Sequence, residues 1–175
     1  MEENVKSVTV RSAGIRYGLI LALIGILMFV VYSILGVDFT GWARWLGYPI
    51  YIVIIILGHQ YFKSNGDGFM SYGQGVGIAF WISLISSSIS SVFTYLYIKL
   101  FDSSMLDMIK QKQIESMEGR GMSDEQIDQA MRFASMFTSA EAILIFGIIG
   151  GIITMVILGL IISIFTQKSN PKPTF

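Results

Sequence analysis

The stretch "YGLILALIGILMFVVYSIL", Tyr17 to Leu35, carries no charged side chain. An α-helix needs about 20 apolar residues to cross roughly 30 Å of hydrocarbon, and this run meets that length. Three others do the same: "WLGYPIYIVIIILGHQYF" over 45–62, and longer runs over 74–100 and 142–166. All are continuously apolar rather than alternating, which excludes a transmembrane barrel. A helix also satisfies its backbone hydrogen bonds within one segment, as lipid demands. The expected fold is an all-α integral membrane protein, with residues 1–175 forming a single domain of four transmembrane helices.

Composition points the same way. Charged residues make up 14% of the chain and hydrophobic ones 53%, whereas soluble domains carry about a quarter charged. The 12 basic and 12 acidic residues balance, and no basic face gathers for nucleic acid. With no cysteine, disulfides, thiolate metal sites, iron–sulfur clusters and thiol catalysis are excluded. Lys6, Arg11 and Arg16 precede the first apolar run. That run outlasts the roughly 7–15 residues of a signal peptide, and no small-x-small cleavage site follows. It is read as an uncleaved span.

The connections differ in kind. "GVDFTG", Gly36 to Gly41, is a tight turn that would pair the first two helices antiparallel. A second turn lies within "HQYFKSNGDGFMSYGQG", residues 59–75. The third connection, 101–141, holds eight of the 12 acidic residues: Asp102, Asp107, Glu115, Glu118, Asp124, Glu125, Asp128 and Glu141. Within it Met105, Leu106, Ile109, Gln113 and Met117 share one side of a helix over about 104–118. "GRG" at 119–121 interrupts the pattern. "SDEQ" from Ser123 is then a capping box, followed at helical spacing by Ile127, Ala130, Met131 and Ala134. An extramembrane amphipathic helical hairpin is expected between helices three and four, its arms continuing those helices.

Four spans put both termini and the second turn on one face, with Lys6, Arg11, Arg16, Lys63, Lys168 and Lys172. Arg44, Lys99, Lys110, Lys112, Arg120 and Arg132 fall on the other. The count is even. The first helix usually dominates orientation, and it has three basic residues before it and only Arg44 soon after. The termini are expected to be cytoplasmic.

His59 is the only histidine. A metal site needs three or four convergent ligands, and only Asp67 is near it in sequence. A proton handle competes with the commoner role of an interfacial histidine bonded to a neighbouring helix or headgroup. "NGDG" at 65–68 is turn chemistry. "GQGVG" lacks both the Gly-Lys-Ser/Thr ending and the preceding strand of a phosphate loop. If this turn has a function, His59, Lys63, Asp67 and Gln74 are its candidates.

Ser83, Ser87, Ser90, Ser91 and Thr94 form one stripe of the third helix. A solute path would want such a hydroxyl row. No charged residue lies mid-span, however, where transporters keep their ionisable groups, so a packing seam is the favoured reading. Small residues four apart recur as Gly14 and Gly18, Gly73 and Gly77, and Gly147 and Gly151. Such pairs let helix backbones approach closely in lipid.

Six of the ten methionines lie in 101–141. Thioethers bind copper(I), but without a histidine beside them they read better as hairpin core with some surface left for a partner. No nucleophile–base pair, buried carboxylate dyad or cofactor motif stands out, so no enzyme activity, metal or cofactor is expected.

The chain also carries a longer pattern. A basic lead enters "GIRYGLILALIGILMFVVY", a second hairpin ends in "HQYFKSNGDGFMSYGQGVGIAF", and a serine-bearing helix closes on "YLYIKLFD". An acidic amphipathic insert and a glycine-rich last helix follow. This layout resembles the bacterial membrane family called domain of unknown function 4199, most specifically in residues 63–80. The resemblance implies a multi-pass inner-membrane protein of a Gram-negative bacterium and brings no activity or site residues. The expected role is a subunit or scaffold in the lipid bilayer, self-associating or meeting a membrane-complex partner through 104–136. The alternative is a small oligomeric transporter or channel using the Ser83–Thr94 stripe.

Overall fold

The structure, a computed structural model, describes residues 8–37 and 41–170 without the side chain of Arg44. Residues 38–40 of the expected first turn, and Lys6 and Lys172 of the charge count, lie outside the described residues. The chain folds into α1 (Val10–Leu35), α2 (Gly47–Ser64), α3 (Tyr72–Leu100), α4 (Ser104–Glu118), α5 (Asp124–Ala134) and α6 (Ala140–Thr166). Short 3-10 turns cover Trp42–Leu46 and Ser135–Phe137. Among the described residues the only β-pairing is an isolated bridge between Met70 and Lys168. By length and hydropathy α1, α3 and α6 can each cross a membrane. The 18 residues of α2 end in a polar stretch with His59, Gln60, Lys63 and Ser64.

Local chemistry sets the helix ends. α1 starts well before Tyr17 because Thr9 and Ser12 cap one another. The Thr9 hydroxyl accepts the Ser12 N–H at 3.1 Å, and the Ser12 hydroxyl accepts the Thr9 N–H at 3.0 Å. It stops at Gly36, whose φ of 62° favours a residue without Cβ. Pro49 lies in the first turn of α2, where its missing N–H has no helical partner to lose. Ser71 and Gln74 form a second box at the head of α3: the Gln74 Oε1 accepts the Ser71 N–H at 2.7 Å. A third, Ser123 with Gln126, opens α5.

The chain falls into two compact units, residues 1–87 with 150–175, and residues 88–149. In the first, Ala13, Leu21, Ile55, Phe62, Ile78, Ile82 and Met155 form the core. There α1 and α2 lie side by side. The Arg16 guanidinium donates to the Tyr61 hydroxyl at 3.0 Å, and the Tyr17 and Tyr61 rings are 5.7 Å apart. Toward their other ends, Met28 and Tyr32 of α1 share one apolar pocket with Ala43 and Tyr51. Leu23, Leu27 and Ile34 face outward, each more than half exposed.

The second unit contains the end of α3, α4, α5 and the start of α6. The expected amphipathic residues Met105, Leu106, Ile109, Gln113 and Met117 are half-buried, as are Ala130, Met131 and Ala134, while Ile127 is buried. The expectation that α4 and α5 prolong α3 and α6 needs correction. After Leu100 the Asp102 carboxylate accepts both the N–H (2.9 Å) and the hydroxyl (2.6 Å) of Ser104. At the other end the Ser139 hydroxyl accepts the Ala142 N–H at 3.0 Å. Such local side-chain bonds replace the helical ladder and break both continuations.

Candidate functional site

In the first unit, the end of α2, the start of α3 and the end of α6 meet at His59, which is fully buried. Its Nε2 lies 2.9 Å from the Gly75 carbonyl oxygen. A carbonyl only accepts, so Nε2 carries the hydrogen. Nδ1 lies 2.7 Å from the Thr166 hydroxyl, which also reaches the Ile162 carbonyl at 3.0 Å. With a neutral ring, the single hydroxyl hydrogen is shared between Nδ1 and that carbonyl. One helical turn on, the Lys63 ammonium donates to the Thr166 carbonyl at 2.8 Å, where a cation suits the helix C-terminus. Just beyond, the Met70 and Lys168 backbones exchange bonds of 2.9 and 2.8 Å. Three successive interactions thus fasten the tail of α6 to the α2–α3 turn.

Asp67 and Gln74 take other tasks. Asp67 is exposed, and its carboxylate accepts the Phe69 N–H at 3.0 Å, shaping a turn through Gly68 at φ 84°. Gln74 is the reciprocal member of the Ser71 box. Of the four candidates, only His59 and Lys63 converge. Among the described residues no three His, Asp or Glu side chains gather as a metal set. Thr166, Gly75 and Ser71 were not anticipated. "SYGQ" carries the capping signal for Ser71, while Thr166 and Gly75 are joined to His59 by tertiary packing alone.

The serine stripe is turned largely inward. Ser83 is fully buried and donates to the Phe80 carbonyl at 2.7 Å; Ser87 donates to the Ser83 carbonyl at 2.6 Å. Ser91 is buried, and Ser90 and Thr94 are half-buried. In the first unit a Cβ on Gly151 would come within 2.7 Å of the Ser87 Cβ; in the second, one on Gly147 would come within 2.6 Å of the Ser91 Oγ. Ser86, outside the expected stripe, is also buried.

Gly14 and Gly18 likewise press on α3. A Cβ on Gly14 would overlap that of Trp81, and one on Gly18 would approach the Ile85 Cβ to 2.8 Å. Gly77 faces Val10 at 2.9 Å, but nothing lies within 4 Å of a Cβ on Gly73. Its expected place in a packing pair is therefore corrected: Gly73 is in the first turn of α3, before the helix meets its neighbours. Gly75 takes that role, its added Cβ coming within 2.6 Å of the buried Ser163 Oγ.

No curated protein and no solved structure matches the chain. The model of one family, described as a protein of unknown function (DUF4199), matches residues 16–168. That span takes in all of α2, α3, α4, α5 and α6, most of α1, and every member of the His59 cluster, and the chain belongs to this family.

Proposed function

We propose that this chain is a non-enzymatic, four-span protein of the bacterial inner membrane with cytoplasmic termini, a subunit or scaffold whose acidic helical hairpin over 104–136 contacts a partner. The fourth span is α2. Its support is the pairing of α2 with α1 from Arg16 and Tyr61 at one end to Tyr32 and Tyr51 at the other, because a helix lying along a spanning helix shares its depth. At about 1.5 Å per residue, the 18 residues of α2 rise about 27 Å, close to the hydrocarbon thickness.

The observation carrying the scaffold reading is that α4 buries no residue and α5 buries only Ile127. Two helices whose inward faces are at most half-buried, Ile127 apart, leave surface for a partner. Met108 is 47% exposed beside a dense set of carboxylates, which suits a partner with basic and apolar groups. The transporter reading is weaker, since Ser83 and Ser87 direct their hydroxyl hydrogens to their own helix.

Affinity purification in mild detergent tests the proposal, using the full chain, a chain lacking 104–136, and a full chain with Glu115→Gln, Glu118→Gln and Asp128→Asn. Glu118 ends α4, where a negative charge opposes the helix dipole, so its neutralisation should not unfold the helix. A stoichiometric partner lost from both variants supports the scaffold. Recovery of the chain alone as a defined oligomer, with transport lost on Ser87→Ala and Ser91→Ala, would replace it with the transporter.

A further inference from the structure

In the second unit Phe133, at the end of α5, and Phe137, in the 3-10 turn after it, are 65% and 45% exposed. They stand apart from the face by which α5 joins the hairpin, where Ile127 is buried and Ala130, Met131 and Ala134 are half-buried. Their rings form a chain: Phe133 lies 5.2 Å from Phe137, and Phe137 lies 5.2 Å from Phe146 of α6. Phe146 belongs to the outward row of α6, with Ile145 and Ile149 exposed beside it. The aromatic patch is therefore continuous with the surface that a membrane-crossing α6 gives to lipid. A contiguous exposed apolar surface marks an interaction site.

The length of α6 sets the level of this patch. Its 27 residues rise about 40 Å at about 1.5 Å per residue, as thick as the hydrocarbon and both headgroup layers together. Near its head Glu141 pairs with Lys99 at 2.8 Å, both side chains about half exposed, as suits water and headgroups. Phe146 comes five residues after Glu141, about 7.5 Å further along the axis. An amphipathic helix at a membrane surface buries its apolar side by about 5–10 Å, so Phe146 sits at such a depth. Phe137 packs on it and Phe133 on Phe137, which draws the end of α5 to the same level. The exposed carboxylates of α5, Asp124, Glu125 and Asp128, lie in its first half. They are not attracted to an anionic surface, so insertion rests on apolar burial.

We propose that the segment from Phe133 to Phe137 is a membrane-interface anchor, its aromatic patch entering the acyl-chain boundary of the bilayer beside α6. It holds the hairpin against the membrane and leaves Asp124, Glu125 and Asp128 in water. The anchor rests on α6 crossing the membrane and goes beyond the scaffold reading, because it holds with or without a partner.

The test is nitroxide labelling of single cysteines in the full chain, purified and reconstituted into phosphatidylcholine vesicles. The chain has no cysteine of its own. Phe133→Cys, Phe137→Cys, Ser116→Cys and Ile149→Cys each replace an exposed residue, so the core is left intact. Two relaxing agents are compared: oxygen, which concentrates in hydrocarbon, and a nickel chelate, which stays in water. Labels at Phe133→Cys and Phe137→Cys should meet oxygen more often than nickel, as should Ile149→Cys on α6. Ser116→Cys in α4 should show the reverse. A nickel excess at Phe133→Cys or Phe137→Cys, with Ile149→Cys still in lipid, would overturn the anchor and leave the crossing of α6 intact. Shielding of either from both agents would also overturn it, since a protein surface would then cover the patch. A nickel excess at Ile149→Cys would remove α6 from the membrane and the anchor with it.

Discussion

A methyl group on Gly14 would overlap the Cβ of Trp81, whereas the same group on Gly73 would meet nothing. The two substitutions should therefore differ in sign. Gly14→Ala forces α1 away from α3 and should destabilise the chain by about 1–3 kcal/mol, the usual cost of overpacking. Gly73→Ala should stabilise it by up to about 1 kcal/mol through helix propensity. Unfolding in mixed micelles by added denaturing detergent gives both values, and equal effects would refute the distinction. Spacing in the sequence shows that both glycines belong to small-residue pairs. It cannot show which of them has a neighbour, since that depends on where along α3 another helix first makes contact. His59 illustrates the same limit. Its polarity within an apolar run is visible at once, but Thr166 is 107 positions away and only the fold brings it near.

The elements were more legible than their junctions. Hydrophobic length locates α1, α3 and α6, and helical spacing with the Ser123 box locates α4 and α5. The breaks at Asp102 and Ser139 were missed because one or two side-chain hydrogen bonds decide them, with no change in hydrophobic pattern. The junction of α2, α3 and α6 makes a direct test of the candidate site. Lys63→Met keeps the aliphatic stem but removes the bond to the Thr166 carbonyl. Hydrogen bonds to charged groups contribute about 1.5–3 kcal/mol, so the tail of α6 should open about tenfold or more often. Hydrogen exchange should accelerate at the Met70 and Lys168 amides, which bond one another's carbonyls, and should not change at Gln126 in α5. An acid effect belongs to another junction. The Ser104 hydroxyl and N–H hold the Asp102 carboxyl below its ordinary range. A lowered native value means that its stabilising effect is present above the ordinary carboxylate range and disappears as pH falls through the lowered value. In that window, the protection of the amides at the start of α4, taken relative to the intrinsic exchange rate at each pH, should fall as pH falls, and Asp102→Asn should remove that pH dependence.

At the scale of the molecule, the number of crossings decides which surfaces share a compartment. If α2 crosses, the start of α1 and the α2–α3 turn lie on one side of the membrane. If only α1, α3 and α6 cross, those two places lie on opposite sides. Arg16 and Tyr61 argue for the first arrangement, since their 3.0 Å bond joins the head of α1 to the tail of α2. The absence of cysteine from the chain makes the test clean, because any thiol introduced is the only one present. Ser12→Cys, Ser64→Cys and Ser116→Cys all replace exposed residues. In sealed cells, a membrane-impermeant thiol reagent should label Ser116→Cys and leave Ser12→Cys and Ser64→Cys unmodified until the membrane is opened. Labelling of all but Ser116→Cys would keep four spans and reverse their orientation. Labelling that separates Ser12→Cys from Ser64→Cys would remove α2 from the membrane, and the pairing of α1 with α2 would then need another explanation.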